Sequence, residues 1–327
     1  MIYKDKIYGK LEIEEPIILE LISTPAFLRL KGIEQAGFFE PHFPGSAKSR
    51  FEHSLGVFIL LKKFGASLEE QVAGLIHDVS HGVFSHCLDY ALGARFEKNH
   101  AYQDKILEKF IKKSEIPGIL KKHGLDLDFI LNDKNFPLKE KPLPDLCADR
   151  IDYSLRDAVS MQIIEPGEVS YFLSNLFIKN KFWVFKSFKS AKEFTRFFFK
   201  MNRLVYSGVP SALMFRTVGD YLKYTLEKGY ITDGDLYTTD REVLEKINRY
   251  LKRDNQLKIL WQRVNNKVKF KIDSRKFNAH VFCKSRAVNP LFEDKGIIKR
   301  ISEVDKKWAG VIKKESRPKE YFIKFEK

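Results

Sequence analysis

Five of the eight histidines fall within 48 residues: His53, His77, His81, His86 and His100. Neutral imidazole is a nitrogen ligand for divalent metals and a proton carrier near neutral pH, so such a cluster mixed with aspartate suits a hydrolytic metal centre. A lone histidine is as often a polar surface group; the grouping carries the signal. His77-Asp78 stands at the end of an apolar stretch, Ala73-Gly74-Leu75-Ile76. Consecutive helical side chains diverge by about 100°, so this pair can share one ion only if the ion lies between them and other ligands close the far side. Arg50-Phe51-Glu52-His53 upstream and Asp149-Arg150-Ile151-Asp152-Tyr153 downstream offer those ligands. Asp149, Tyr153 and Asp157 are spaced i, i+4, i+8 and stack on one helical face, away from Cys147, Ile151 and Leu155. A solvated polar face has the same spacing; the tyrosine between two carboxylates and the proline-led entry favour a helix that lines a site.

The elements that must position these residues read mainly as helices from residue 1 to 250. Ser67-Leu68-Glu69-Glu70 forms a capping-box pattern, opening a helix through Val72, Leu75 and Ile76 that should stop near Gly82. After Pro144, Asp145 is the candidate N-cap of a helix that gathers Cys147, Ile151, Leu155 and Ala158 on one face. Lys113 to Pro142, rich in Lys, Asp, Asn, Gly and Pro, predicts an exposed excursion. Phe182 to Phe188 reads as a short strand, and alternation in Val268–Ile272 and Tyr321–Phe325 predicts two more. The expected architecture is mainly α: a helical core over 1–250 and a small, basic α+β lobe over 251–327.

With 327 residues and 44% hydrophobic content the chain can bury a large core. No run of about 18 apolar residues occurs, and Met1 to Pro16 mixes Lys with Glu, which predicts a soluble, cytoplasmic protein without a membrane partner. Cys87, Cys147 and Cys283 form no CxxC pair and read as small buried hydrophobes, so a metal must be held by histidine and carboxylate. The formal charge is +15, and residues 251–327 carry +13 of it, with 22 Lys and Arg against 9 Asp and Glu. Such a surplus attracts polyanions, nucleotides or nucleic acid among them.

Longer motifs carry a resemblance. Ile7-Tyr8-Gly9, Thr24-Pro25-Ala26-Phe27-Leu28-Arg29-Leu30, Phe43-Pro44-Gly45, Ser49 to Val57, Leu75 to His86 and Asp149 to Asp157 are similar to the HD-domain deoxynucleoside triphosphate triphosphohydrolases, including their short prokaryotic members. Weaker likeness recurs at Leu236 to Asp240 and from Cys283 to Lys324. The resemblance implies an HD-domain helical core and a divalent ion (Mn, Fe, Zn, Co, Ni or Mg) held by His53, His77, Asp78 and Asp149. It implies a phosphate contact for Arg50, whose planar fork suits that task. His81, His86 and His100 match active-site histidines that contact phosphates and handle the proton of the leaving 5′ oxygen, and Asp89 matches the carboxylate that orients His86. Arg150, Tyr153 and Asp157 match residues near triphosphate and sugar, Gln35 one that faces the deoxyribose, and Tyr206 is counted with these substrate contacts.

The implied reaction releases nucleoside and intact triphosphate, the ion neutralising charge on the α-phosphate and acidifying a water. A nucleotidase that frees inorganic phosphate, or a nucleic-acid-binding protein with nuclease activity that uses the basic lobe, are the rival readings. Relatives commonly assemble, so a homo-oligomer is expected. The chain also departs from the family pattern. Ser23, Leu28 and Lys31 replace the Asp, Gln and Arg of a guanine-nucleotide activator site; Tyr206-Ser207-Gly208 lacks the His-Lys pair that follows an aromatic; and Ala36 replaces a bulkier residue beside the sugar. Regulation by a guanine nucleotide is therefore not expected.

Overall fold

The computed structural model describes residues 1–93 and 102–326. A hairpin of β1 (Ile2–Asp5) and β2 (Gly9–Glu12) opens the chain. It leads into the helices α1 (Pro16–Ile22), α2 (Pro25–Leu28), α3 (Arg50–Lys63), α4 (Leu68–Ile76), α5 (Cys87–Ala91) and α6 (Tyr102–Lys112). The helices α7 (Ala148–Ser160), α8 (Phe188–Met201) and α9 (Val209–Glu227) complete the helical part that matters here. The mainly α fold follows from the pattern of the sequence.

Helix α3 is the axis of the arrangement. Ser49 caps it by accepting from the Glu52 amide while Glu52 returns a carboxylate to the Ser49 amide. Its residues are apolar almost all round, and a helix of that kind must be buried. Leu55, Phe58 and Ile59 join one hydrophobic cluster with α1, α2 and α4, and Val57, Leu60 and Leu61 join a second with α7, α8 and α9. Helix α3 packs on both α4 and α7.

The α3–α7 approach is close because residue 56 is glycine. A Cβ at Gly56 would stand 1.9 Å from Asp152 Oδ1 and 2.2 Å from the Arg156 guanidinium. Gly56→Ala is therefore expected to push the helices apart and lower stability by about 1–3 kcal/mol, the usual range for overpacking. A thermal melt equal to wild type would contradict this packing.

Seven further strands build two small sheets: β3 (Leu176–Lys179), β4 (Phe182–Phe185), β5 (Phe270–Ile272), β6 (Ala279–Cys283), β7 (Leu291–Asp294), β8 (Ile297–Arg300) and β9 (Lys319–Phe325). Their orders are β3-β4-β7-β8 and β5-β9-β6. The strands expected at Phe182, Val268 and Tyr321 are present, the second beginning at Phe270. Strand β4 runs parallel to β7, pairing Val184 with Leu291, and α9 packs on β6. The segment after residue 250 is thus stitched to the helical part through a shared sheet and a shared hydrophobic cluster.

Three local expectations are corrected. Helix α4 ends at Ile76, with His77 as its C-cap, six residues before Gly82. The N-cap of α7 is Cys147 rather than Asp145. Only half of the capping box at Ser67 forms: its hydroxyl accepts from the Glu70 amide, while the Glu70 carboxylate accepts from the Leu138 and Lys139 amides. The excursion after Lys113 contains two short helices, Ile116–Lys122 and Leu127–Leu131. Cys87, Cys147 and Cys283 are all buried free thiols. No helix among the described residues is long and apolar enough to cross a membrane.

Candidate metal centre

The early end of α4 solves the divergence problem of His77 and Asp78, because the chain turns away just where both side chains face inward. His77 Nδ1 donates to the Gly74 carbonyl at 2.7 Å. Its Nε2 is buried and has no hydrogen-bond partner among the described residues. That tautomer points a lone pair into the site, the usual arrangement of a metal-ligating histidine. His53 is prepared in the same way. Its Nδ1 meets Asp152 Oδ2 at 2.7 Å, Asp152 is held by Arg156, and Arg156 reaches Asp5 at 3.0 Å.

His53 Nε2 lies 3.0 Å and His77 Nε2 3.6 Å from Asp149 Oδ1. One ligand atom from each of His53, His77 and Asp149 lies within 4.8 Å of the other two, a spacing that one ion with bonds of about 2.0–2.2 Å bridges. Asp78 flanks this trio. Its Oδ1 is 3.4 Å from His77 Nε2 and its Oδ2 3.7 Å from His53 Nε2, but Oδ2 also takes the Arg50 guanidinium. The four residues expected as ligands are therefore assembled, three tightly and one shared with Arg50.

Electrostatics agree with a cation at the centre. Burial pulls the His53 imidazole down, yet the Asp149 and Asp152 carboxylates outweigh it and push the group up to about 10. Burial likewise raises Asp149 and Asp78, but His53 and His77 hold the first, and Arg50 and His77 the second, well below the usual carboxylate range. Three ionised carboxylates around two imidazoles draw a proton strongly, and draw a divalent cation for the same Coulombic reason. The orphaned His77 Nε2 and this donor set fit a divalent transition ion.

The residues expected to handle the proton follow along the chain. His81 Nε2 is 3.4 Å from Asp78 Oδ1, and the His81 and His86 rings meet edge to face with centroids 5.2 Å apart. Burial, reinforced by Arg50, lowers His81 to about 4, so it is neutral at pH 7. His86 Nδ1 lies 3.3 Å from Asp89 Oδ2, and Asp89 Oδ1 accepts from the Tyr102 amide at 3.1 Å. Phe84 and Ser85 reach this arrangement with φ of 54° and 48°, a left-handed conformation costly for residues other than glycine. Asp240 offsets that cost by accepting from the Phe84 amide at 2.7 Å and the Glu34 amide at 2.8 Å, which ties the His86 and Gln35 segments together. His100 lies outside the described residues.

A cavity of about 400 Å³ opens over the centre. Gln35, Arg50, Arg150, Tyr153, Asp157 and Tyr206 line it with the two histidines and two aspartates of the centre, His81 and His86; Asp89 stands behind His86. Besides Arg50, which pairs with Asp78, two of these residues already have structural partners. Arg150 Nη1 donates to the Asp145 carbonyl at 2.6 Å, and Asp157 pairs with Lys48 at 2.6 Å.

The sequence reading missed Asp152, Lys284 and Arg286. Asp152 was quoted within its motif, and its i, i+4 relation to Arg156 was the available signal. Lys284 and Arg286 also line the cavity, and Ser285 between them turns back into a buried knot with Asn202 and Glu315. The Arg286 guanidinium sits over the Tyr153 and Tyr206 rings, 5.7 and 5.3 Å from their centroids, and forms no ion pair among the described residues. Only the basic surplus after residue 250 hinted at it.

Known proteins resemble this chain in sequence. The family described as HD domain matches residues 50–157, the span from Arg50 to Asp157. The uncharacterised protein YdhJ of Bacillus subtilis is 35% identical over 90% of this chain and 89% of its own length. The metal-dependent phosphohydrolase cns2 of Cordyceps militaris is 33% identical over 72% of this chain and 70% of its own. The deoxynucleoside triphosphate triphosphohydrolase SAMHD1 of Mus musculus is 32% identical over 43% of this chain and 27% of its own. With a histidine-aspartate centre lining a cavity rich in charged side chains and full-length likeness of this degree, the chain belongs to the HD-domain metal-dependent phosphohydrolases, hydrolases whose cofactor is a divalent metal ion.

Proposed function

We propose that the enzyme hydrolyses nucleoside triphosphates, deoxynucleoside triphosphates first among them, to nucleoside and intact triphosphate, without guanine-nucleotide activation. One observation carries this reading: the cavity that holds the metal centre is also lined by the Arg286 guanidinium, which lies over the Tyr153 and Tyr206 rings and forms no ion pair among the described residues, a charge that suits phosphates beyond the first. A divalent ion held by His53, His77, Asp78 and Asp149 supplies positive charge to a phosphoryl oxygen and acidity to water.

The remaining work falls to the chain itself. Arg50 spans the site, with Nε on Ser85 Oγ at 2.7 Å, Nη2 on the Gln35 carbonyl at 2.9 Å and Nη1 on Asp78. Thus it fixes Asp78 while presenting charge to a phosphate. His86, whose Nδ1 lies 3.3 Å from Asp89 Oδ2, hands the proton to the leaving 5′ oxygen. The buried Gln35 Oε1 has no hydrogen-bond partner and lines the cavity, an acceptor suited to a sugar hydroxyl. Ala36 beside it leaves room at the sugar. The likeness to SAMHD1 supports the nucleotide class, and the exposed Ser23, Leu28 and Lys31 support independence from an activator.

The test is to incubate manganese-loaded protein with each dNTP and NTP, no second nucleotide added, and identify the phosphate product by phosphorus NMR. Triphosphate with simple saturation is expected. Arg286→Ala should raise KM about tenfold with kcat little changed, the scale of one charge-assisted contact. Release of inorganic phosphate would replace the reading with a nucleotidase, and an absolute need for GTP or dGTP would overturn the unregulated assignment.

A further inference from the structure

Strand β9 lies at the centre of the sheet β5-β9-β6, and its two faces differ in chemistry. Ile323 and Phe325 are buried, so Phe322 and Lys324 alternate to the other face. In register, Phe322 stands opposite His280 on β6 and Lys324 opposite Lys271 on β5. The Phe322 and His280 rings stack with centroids 4.5 Å apart and planes 4° from parallel. Phe277, 46% exposed, lays its ring 4.9 Å from that of Phe322. This face therefore carries the rings of Phe322, His280 and Phe277, with Phe282 4.6 Å from His280, and beside them two lysines directly across from one another.

The fold alone gives no reason for either group. Like charges directly opposite on one sheet face are destabilising, and neither Lys271 nor Lys324 forms an ion pair among the described residues. Exposed Arg275 and Lys276 add to the charge; the acidic groups on this side are Glu320, 3.5 Å from His280, and Asp273, whose carboxylate accepts from the Arg275 and Lys276 amides and lies near enough to Lys271 and Lys324 to be held lower by them too. None of these residues lines the catalytic cavity.

We propose that this face binds single-stranded nucleic acid, its bases stacking on Phe322, Phe277 and His280 and its phosphates lying on Lys271 and Lys324. Rings on an open sheet beside basic side chains are what unpaired bases require, because every base has a π-face and every nucleotide a charge. A duplex keeps its bases stacked inside and offers the rings nothing. A protein partner fits less well, since it would have to desolvate a like-charged lysine pair, and lysine is depleted at interface cores. The inference does not rest on the nucleotide reading of the cavity.

Fluorescence anisotropy of a fluorescein-labelled 20-mer of thymidylate tests it, using the full chain in EDTA with a hairpin duplex as competitor. The single strand is expected to bind and the duplex to compete poorly. Phe322→Ala and Phe277→Ala should each weaken binding about tenfold, within the range for loss of one stacking contact. Lys271→Glu combined with Lys324→Glu should flatten the slope of log affinity against log salt by about 1.4, two single-strand phosphate contacts. Should Phe322→Ala misfold by circular dichroism, Phe277→Ala decides the matter, because its ring is the most exposed of the three. Absence of binding, or equal affinity for duplex with no loss in Phe277→Ala, would overturn the proposal. So would a dimer in sedimentation that Phe277→Ala dissociates, which would make the face a contact between copies.

Discussion

His77→Ala is expected to yield a folded protein without bound metal and with activity down by about three orders of magnitude or more, well beyond the 10–100-fold typical of a residue that only orients a ligand. The side chain gives up one hydrogen bond, to the Gly74 carbonyl, so the fold loses little. What disappears is a buried imidazole nitrogen that faces Asp78 and Asp149 with no hydrogen-bond partner among the described residues. Asp78→Ala differs instructively. Asp78 neutralises Arg50, both residues are buried, and removing one partner of such a pair costs about 3–5 kcal/mol because a charge is left unpaired. That variant should lose metal and also melt markedly lower. Asp78→Asn retains the shape and separates the two effects. Elemental analysis of His77→Ala combined with Asp78→Asn settles the assignment; full metal occupancy there would remove His77 and Asp78 from the ligand set.

How far the sequence anticipates this site depends on how local each determinant is. His77-Asp78 and the Asp149, Tyr153, Asp157 face were legible because adjacency and helical period are local properties. The local caps were misjudged wherever a distant residue claims the side chain. Asp145, read as an N-cap, pairs instead with Arg300 at 2.6 Å. Glu70, read as the return half of a capping box, holds the amides of Leu138 and Lys139. Beyond the end of α4 the carbonyls of Val79 and His81 are both taken, at 2.8 Å, by Arg29 Nη2 from some fifty residues away, a partner that no local window contains. The same logic hid Arg286: a strap after β6 reaches the cavity only because Asn202 and Glu315 hold Ser285 from behind, and no short window of sequence contains all three. Asp152 sits between these cases. Its motif was visible, but its bond to His53 depends on Gly56 letting α3 and α7 touch.

The His86–Asp89 pair allows proton transfer to be separated from metal binding. His86→Ala should keep the ion, because His86 is not among the grouped ligands, and should lose roughly a hundredfold or more in turnover. Asp89→Asn should lose less, since a poorly oriented imidazole still titrates. Combining the two should cost little more than His86→Ala alone, because residues that act as one unit are not additive. A structural role for Asp89 would give a different signature in pH. Burial pushes its carboxyl up to about 7, against a bond from the Tyr102 amide that lowers it, so Asp89 changes charge in the neutral range. Turnover in the wild type should therefore fall as pH drops through about 7 and Asp89 takes up its proton. Asp89→Asn cannot ionise, so its profile should lack that limb while its metal content stays at the wild-type level. If the double variant instead loses the product of the two single losses, with metal unchanged, the pair does not act together and the proton comes from another group, His100 being the remaining histidine expected in the site.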